Sequence, residues 1–140
     1  MNIARCLAVA LCIAAGAAAA QGKTCTPAES QATDKALDRV VNWDLMYKTF
    51  KEFGHCQTVM NEDLFTDALM RLAVEWKHVD QFAKHYQGDP QFKSFVVKHM
   101  KSLTAKEDVK SLYSRAKASC PPKLDAFCAD LSEVAKEASR

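Results

Sequence analysis

Four cysteines, Cys25, Cys56, Cys120 and Cys128, are spread through a chain of 140 residues that holds only four glycines. They constrain the fold more than any other feature, because the segment before them reads as an export signal. Arg5 supplies a positive flank, residues 6–15 (CLAVALCIAA) an apolar stretch, and Ala18-Ala19-Ala20 a small-x-small cleavage site, with the cut expected before Gln21. The apolar stretch is short for a bilayer span and has no stop-transfer flank. Cleavage removes Cys6 and Cys12 and leaves an even number of cysteines in a compartment where disulfides persist. Leu11 before Cys12 and Thr24 before Cys25 do not fit a lipid-attachment site. Residues 1–20 are thus expected to be a secretory signal peptide and residues 21–140 a single helical domain, periplasmic or secreted.

The rest of the chain alternates helical stripes with punctuation. Thr26-Pro27-Ala28-Glu29 combines a cap, a first-turn proline and a capping box. Ala32, Ala36, Leu37 and Val40 follow at helical spacing, and Asn42 or Asp44 suits a new N-cap. Met46, Phe50 and Phe53 form the next stripe, which Gly54 is expected to end in the left-handed conformation. After a loop containing Cys56, Asn61 reads as an N-cap, with Met60 and Phe65 placed for a hydrophobic staple. The stripe Phe65, Leu69, Leu72 and Trp76 either continues or kinks into Val79, Phe82, Ala83 and Tyr86, and Gly88 stops it.

Asp89-Pro90 repeats the cap-then-proline start before Phe92, Phe95, Val96, His99, Met100 and Leu103. Thr104-Ala105-Lys106-Glu107 reads as a second capping box, opening a helix with Val109, Leu112, Tyr113, Ala116 and Cys120 inside. Pro121-Pro122 ends that helix, and Leu124, Phe127, Cys128 and Leu131 line a last one. No segment alternates with period two and no hairpin dipeptide occurs. The fold class expected is all-α, a single-domain bundle of five or six short helices stapled by disulfides.

Four cysteines allow three pairings, among which sequence does not choose. The double proline and the short loop favour Cys120 with Cys128, which leaves Cys25 with Cys56 to staple the first helical hairpin. No C-x-x-C occurs, so structural bridges are expected rather than a redox-active pair.

Charge and motifs exclude more than they assign. The formal net charge is +2, and loss of Arg5 with the signal leaves +1, too weak a field to gather nucleic acid. Lys93, Lys98, Lys101, Lys106, Lys110, Arg115, Lys117 and Lys123 nevertheless form a basic run opposed only by Glu107 and Asp108. Such a run is either a set of solvated helix faces or a surface for an acidic partner or the cell envelope. Glu75 and His78 have the Glu-x-x-His spacing of helical di-iron sites, but the motif occurs once and Glu75 falls off the apolar stripe. His99, between Phe95 and Leu103, reads as a satisfied histidine at the edge of the core. There is no nucleophile elbow and no Gly-rich phosphate loop. No catalytic residue, metal or cofactor is expected, and the chain reads as non-enzymatic. Trp43 and Tyr47, at the helical break near Asn42, are the aromatic candidates for partner anchors, against the alternative of a satellite core contact.

With its signal, about 120 exported residues, helices and paired cysteines, the chain resembles the small exported helical immunity proteins that neutralise type VI secretion amidase effectors. Its most distinctive strings are residues 47–56 (YKTFKEFGHC), 89–99 (DPQFKSFVVKH) and 118–121 (ASCP). The resemblance implies an inhibitor whose partner is another protein, a cell-wall hydrolase effector with its cleft blocked, and an inhibitor that acts as a homodimer. Trp43, Tyr47, Lys93, Lys98 and Lys101 are the partner-binding candidates. The alternatives are a carrier of a small apolar ligand, its cavity lined by Phe and Met, and an envelope-surface binding protein.

Overall fold

The helix starts follow from local hydrogen bonding. In the computed structural model, which describes residues 23–57 and 61–140, Thr26 is extended and its side chain accepts from the Glu29 amide. Glu29 in turn accepts from the Thr26 amide, so the predicted capping box opens α1 (Pro27–Leu37). Asn42 caps α2 (Trp43–Phe53) by accepting from the Leu45 amide. Asp89 caps α5 (Pro90–Met100) by accepting from the amides of Gln91 and Phe92. The other helices are α3 (Glu62–Glu75), α4 (Val79–Gly88), α6 (Lys106–Ala118) and α7 (Asp125–Ala138). Seven α-helices and two short 3₁₀ turns, and no strand, occur among the described residues. The export-signal reading of residues 1–20 and the Met60 half of the predicted staple lie outside the described residues.

Among the described residues seven α-helices stand where five or six were expected, and the physical reason sits at residues 76–78. Trp76 (φ 56°) and His78 (φ 51°) both adopt the left-handed conformation and divide the stripe into α3 and α4. No glycine or proline marks this break. Trp76 is held by its indole N–H, which donates to the Ser119 carbonyl at 2.8 Å at the end of α6. A tertiary contact thus holds a backbone conformation that local propensity disfavours.

Three predicted end signals work differently from expectation. Gly54 is right-handed (φ −58°) and the chain runs on into a 3₁₀ turn (Gly54–Cys56). A Cβ there would lie 3.1 Å from the Phe50 ring, so the glycine serves close approach rather than a left-handed cap. Asn61 makes no cap; its amide bonds the Ser30 hydroxyl and ties α3 to α1. Thr104 does not form a capping box either. It lies in a 3₁₀ turn (Leu103–Ala105), bonded to the Ser102 hydroxyl, and α6 begins after Ala105 without a side-chain cap.

One core joins the helices. Phe65, Leu69, Phe82, Phe92, Val96, Val109, Leu112, Phe127 and Leu131 are all buried in it. Helices α6 and α7 form an antiparallel hairpin bridged by Cys120–Cys128, and Cys25–Cys56 ties the start of α1 to the end of the 3₁₀ turn after α2. Both bridges are the pairing favoured by loop length.

Candidate functional site

Helices α2 and α4 are zipped by stacked rings at one-turn spacing. Trp43 lies flat on Phe82, centroids 3.6 Å apart, and Tyr47 lies on His85 at 4.1 Å. Asp44, between the two aromatics, meets His85 Nε2 at 2.5 Å. Trp43 is 1% exposed. It is therefore a core residue, and the reading of it as a surface anchor is corrected: the break before α2 turns the first residue of the helix inward. Tyr47 is half-buried, and its hydroxyl donates to Asp89 Oδ2 at 2.9 Å.

Asp89 thereby joins α2, α4 and α5. Its Oδ1 caps α5 while Oδ2 accepts from Tyr47 and from Lys51 Nζ at 3.2 Å. Desolvation pushes its carboxyl up, but the bonds from Tyr47, Phe92, Lys51 and Gln91 together outweigh it and hold the group below its ordinary value. The same Asp89 bond, with burial, pushes the Tyr47 phenol up.

Beyond Tyr47, a groove opens between the end of α2 and the face of α5. Its larger part, about 470 Å³, has the Phe50 and Phe95 rings at its base, with Gln57, Pro90, Gln91, Ser94 and Lys98 around them. A smaller part of about 270 Å³ shares Phe50 and Gln91 and reaches Lys51 and His55. Lys98 pairs with Glu62 at 3.0 Å and Lys51 with Asp89, yet both side chains stay about half exposed. The groove is thus apolar at its base and cationic at two edges, and it is pinned near one end by the Cys25–Cys56 bridge.

His99 sits beneath this region and is 1% exposed. Gln57 Nε2 donates to the Gly54 carbonyl, which turns Gln57 Oε1 toward His99 Nε2 at 3.2 Å. On its other side His99 Nδ1 lies 2.7 Å from the Thr66 hydroxyl, which donates to the Glu62 carbonyl at 2.9 Å. Burial, reinforced by Lys98 and opposed by Glu62, lowers the His99 pKa to about 4. The fold therefore holds the neutral ring, and between that value and the unfolded value near 6.5 the unfolded chain binds more protons. Stability is expected to fall as pH drops through this window. From about pH 7.5 to about pH 4.5 the loss due to His99 is about 2–3 kcal/mol. Urea denaturation at the two pH values, in the native chain and in His99→Gln, checks this: the variant is expected to lose correspondingly less, and equal losses would contradict it.

The other sequence candidates scatter. Lys93 reaches Asp130 at 2.6 Å and lies over the Tyr86 ring at 5.1 Å. Lys101 is exposed and has no ion pair among the described residues. Glu75 and His78 are both exposed, on either side of the break, so the Glu-x-x-His spacing does not fall on one helix, and His78 and His85 do not share a helical face. Cys25, Cys56, Cys120 and Cys128 are all in disulfides. Sequence reading missed the cluster of Glu29, His55 and Cys56, whose ligating atoms lie within 4.8 Å of one another. Residues 26 positions apart give no spacing signal; only the Cys25–Cys56 pairing, which places Glu29 and His55 beside the same bridge, pointed there.

Comparison with protein-family models, curated proteins and solved structures finds no match. No helix among the described residues is long and apolar enough to cross a membrane. The two disulfides are consistent with an oxidising compartment.

Proposed function

We propose that this is an exported, non-enzymatic binding protein of the immunity type, which neutralises a secreted cell-wall-targeting effector through the α2–α5 groove. The observation that carries the reading is the groove itself: an aromatic base of Phe50 and Phe95 beside the half-exposed Lys51 and Lys98, on helices fixed by Asp89 and by a disulfide. Interface energy concentrates where apolar or aromatic anchors meet a rigid, water-excluding pocket, and flanking charges select the partner and its orientation. A partner loop carrying an apolar side chain beside a carboxylate has the matching chemistry. Lys98, a candidate from the sequence, stands at this edge; Tyr47, Lys93 and Lys101 lie outside the groove lining.

The carrier reading has less support, since the grooves are open to solvent and the Phe and Met side chains it invoked, such as Phe82, Met46 and Met100, fill the core instead. Pairing of Lys93, Lys98 and Lys110 with Asp130, Glu62 and Glu107 likewise weakens the envelope-polymer reading. Affinity capture from the envelope and secreted proteins of the source and its competitors tests the proposal. A captured cell-wall hydrolase whose activity disappears in the complex is the expected result. Recovery of no hydrolase, or of one that stays active, would sink it.

A further inference from the structure

At the start of α1, Glu29, His55 and Cys56 bring their ligating atoms within 4.8 Å of one another, beside the Cys25–Cys56 disulfide. Cys25 and Cys56 are bridged, with Cα atoms 4.9 Å apart. His55 directs Nε2 toward Glu29 Oε1 at 3.3 Å. That nitrogen is fully buried and makes no hydrogen bond. Glu29 divides its labour: Oε2 serves the capping box, while Oε1 faces His55 and Lys23. Lys23 Nζ meets Oε1 at 2.6 Å, and Thr26 bonds Oε2 through its amide and hydroxyl. The Lys23 side chain is largely exposed. A buried imidazole nitrogen without a hydrogen bond thus stands beside a carboxylate and a disulfide.

We infer that reduction of the Cys25–Cys56 bridge converts this cluster into a tetrahedral zinc site formed by Cys25, Cys56, His55 and Glu29. A dithiol supplies two electrons and two protons to the S–S bond and is itself oxidised to a disulfide, leaving two thiols. Zn²⁺ then displaces both thiol protons to solvent as the two Zn–S bonds form. The sulfurs part to roughly 3.8 Å, the separation that two Zn–S bonds of about 2.3 Å set at a tetrahedral angle. Glu29 Oε1 exchanges Lys23 for the metal while Oε2 keeps its cap. Two thiolates, one imidazole and one carboxylate make a closed, structural set of zinc ligands. The metal takes over the role of the covalent bridge: it keeps the start of α1 joined to the turn after α2 when the disulfide is open. His55 also borders the smaller part of the groove, but metal binding is read without the hydrolase, so failure of this inference and failure of the effector reading are distinguishable.

The test uses the chain from Gln21 onward, reduced with a phosphine and titrated with Co²⁺ and then Zn²⁺ without oxygen. Reduced protein is expected to bind one Co²⁺ with thiolate-to-cobalt charge-transfer absorption, which Zn²⁺ abolishes. Alkylation followed by peptide mapping should find Cys25 and Cys56 protected by zinc and Cys120 and Cys128 modified. His55→Ala is expected to weaken zinc binding at least about tenfold, the scale on which loss of a group at a metal site is felt. Oxidised protein should bind none. If reduction alone lowers the helical circular dichroism, one equivalent of zinc is expected to restore it. Absence of binding, protection of Cys120 and Cys128 instead, equal affinity in His55→Ala, or metal bound without recovery of lost helicity would each overturn the inference.

Discussion

Replacing Trp43 with alanine is expected to destabilise the protein by about 3–5 kcal/mol, the range for deleting a large buried aromatic. Trp43 is 1% exposed and stacks on Phe82, which meets Tyr86 and Phe127 edge-on at 5.6 and 5.1 Å. Removing the indole leaves a cavity between α2 and α4 and unsupports a ring cluster that reaches α7. Lost burial and residual cavity add in such a case, because close-packed neighbours relax only partly. Urea denaturation followed by circular dichroism measures the loss. A change below about 1 kcal/mol, the scale of an ordinary surface substitution, would return Trp43 to the role of a surface anchor and contradict its placement in the core.

Loss of the Cys25–Cys56 bridge is expected to be the larger of the two disulfide effects. This bridge closes a sequence separation of 31 residues, against 8 for Cys120–Cys128. The loop-entropy relation then gives about 4 kcal/mol for the first and roughly 2.5 kcal/mol for the second. Cys25→Ala with Cys56→Ala, compared with Cys120→Ala with Cys128→Ala by equilibrium unfolding in oxidising buffer, separates them. Equal losses, or a greater loss from the shorter loop, would contradict the ranking. The difference has a structural reason too: α6 and α7 already pair along their length, whereas the start of α1 is held by few contacts besides its bridge, Asn61 with Ser30 among them.

What could be read from the sequence follows the range over which each signal acts. The helices opened by Thr26, Asn42 and Asp89 were legible because their caps are satisfied within three residues. The stripes that place Phe65, Leu69, Phe92, Val96, Leu112 and Leu131 inside were legible because helical periodicity records one face. The pairing of cysteines followed loop length, which is also local. The break at Trp76–His78 was not legible as a certainty, because a bond from Trp76 to Ser119 holds it across 43 residues. Asn61 and Gly54 looked like helix ends for the same local reasons that succeeded elsewhere. They serve α1 and the Phe50 ring instead, which tertiary structure alone decides. Trp43 shows the limit most clearly. Position beside a predicted break left a surface anchor and a core contact both open, and the stack on Phe82 that decides for the core depends on how α2 meets α4. The groove between α2 and α5 and the cluster around Cys25–Cys56 depend on several elements at once, so no motif announces them.

The basic run from Lys93 to Lys123 illustrates the difference between charge in sequence and charge in space. Lys93 and Lys98 meet Asp130 and Glu62, which lie 37 and 36 positions away, and Lys110 meets Glu107 one turn back. The uniform stretch seen along the chain is thus broken up by acids from other elements. Exposed pairs of this kind contribute little to stability, but they orient Lys98 at the edge of the groove without burying it.

The measurement that bears most directly on the proposed function is a titration of the captured hydrolase's activity with the native chain and with Ser94→Arg. Ser94 is exposed on the groove rim and contributes nothing to the core, so arginine there fills the space above Phe50 and Phe95 while the fold stays intact. The account predicts stoichiometric loss of activity with the native chain and at least about a tenfold weaker effect with the variant, as expected when a bulky side chain occupies the centre of an interface. Equal inhibition by the two chains would show that the groove is not the binding site, and no inhibition by either would contradict the proposed function itself.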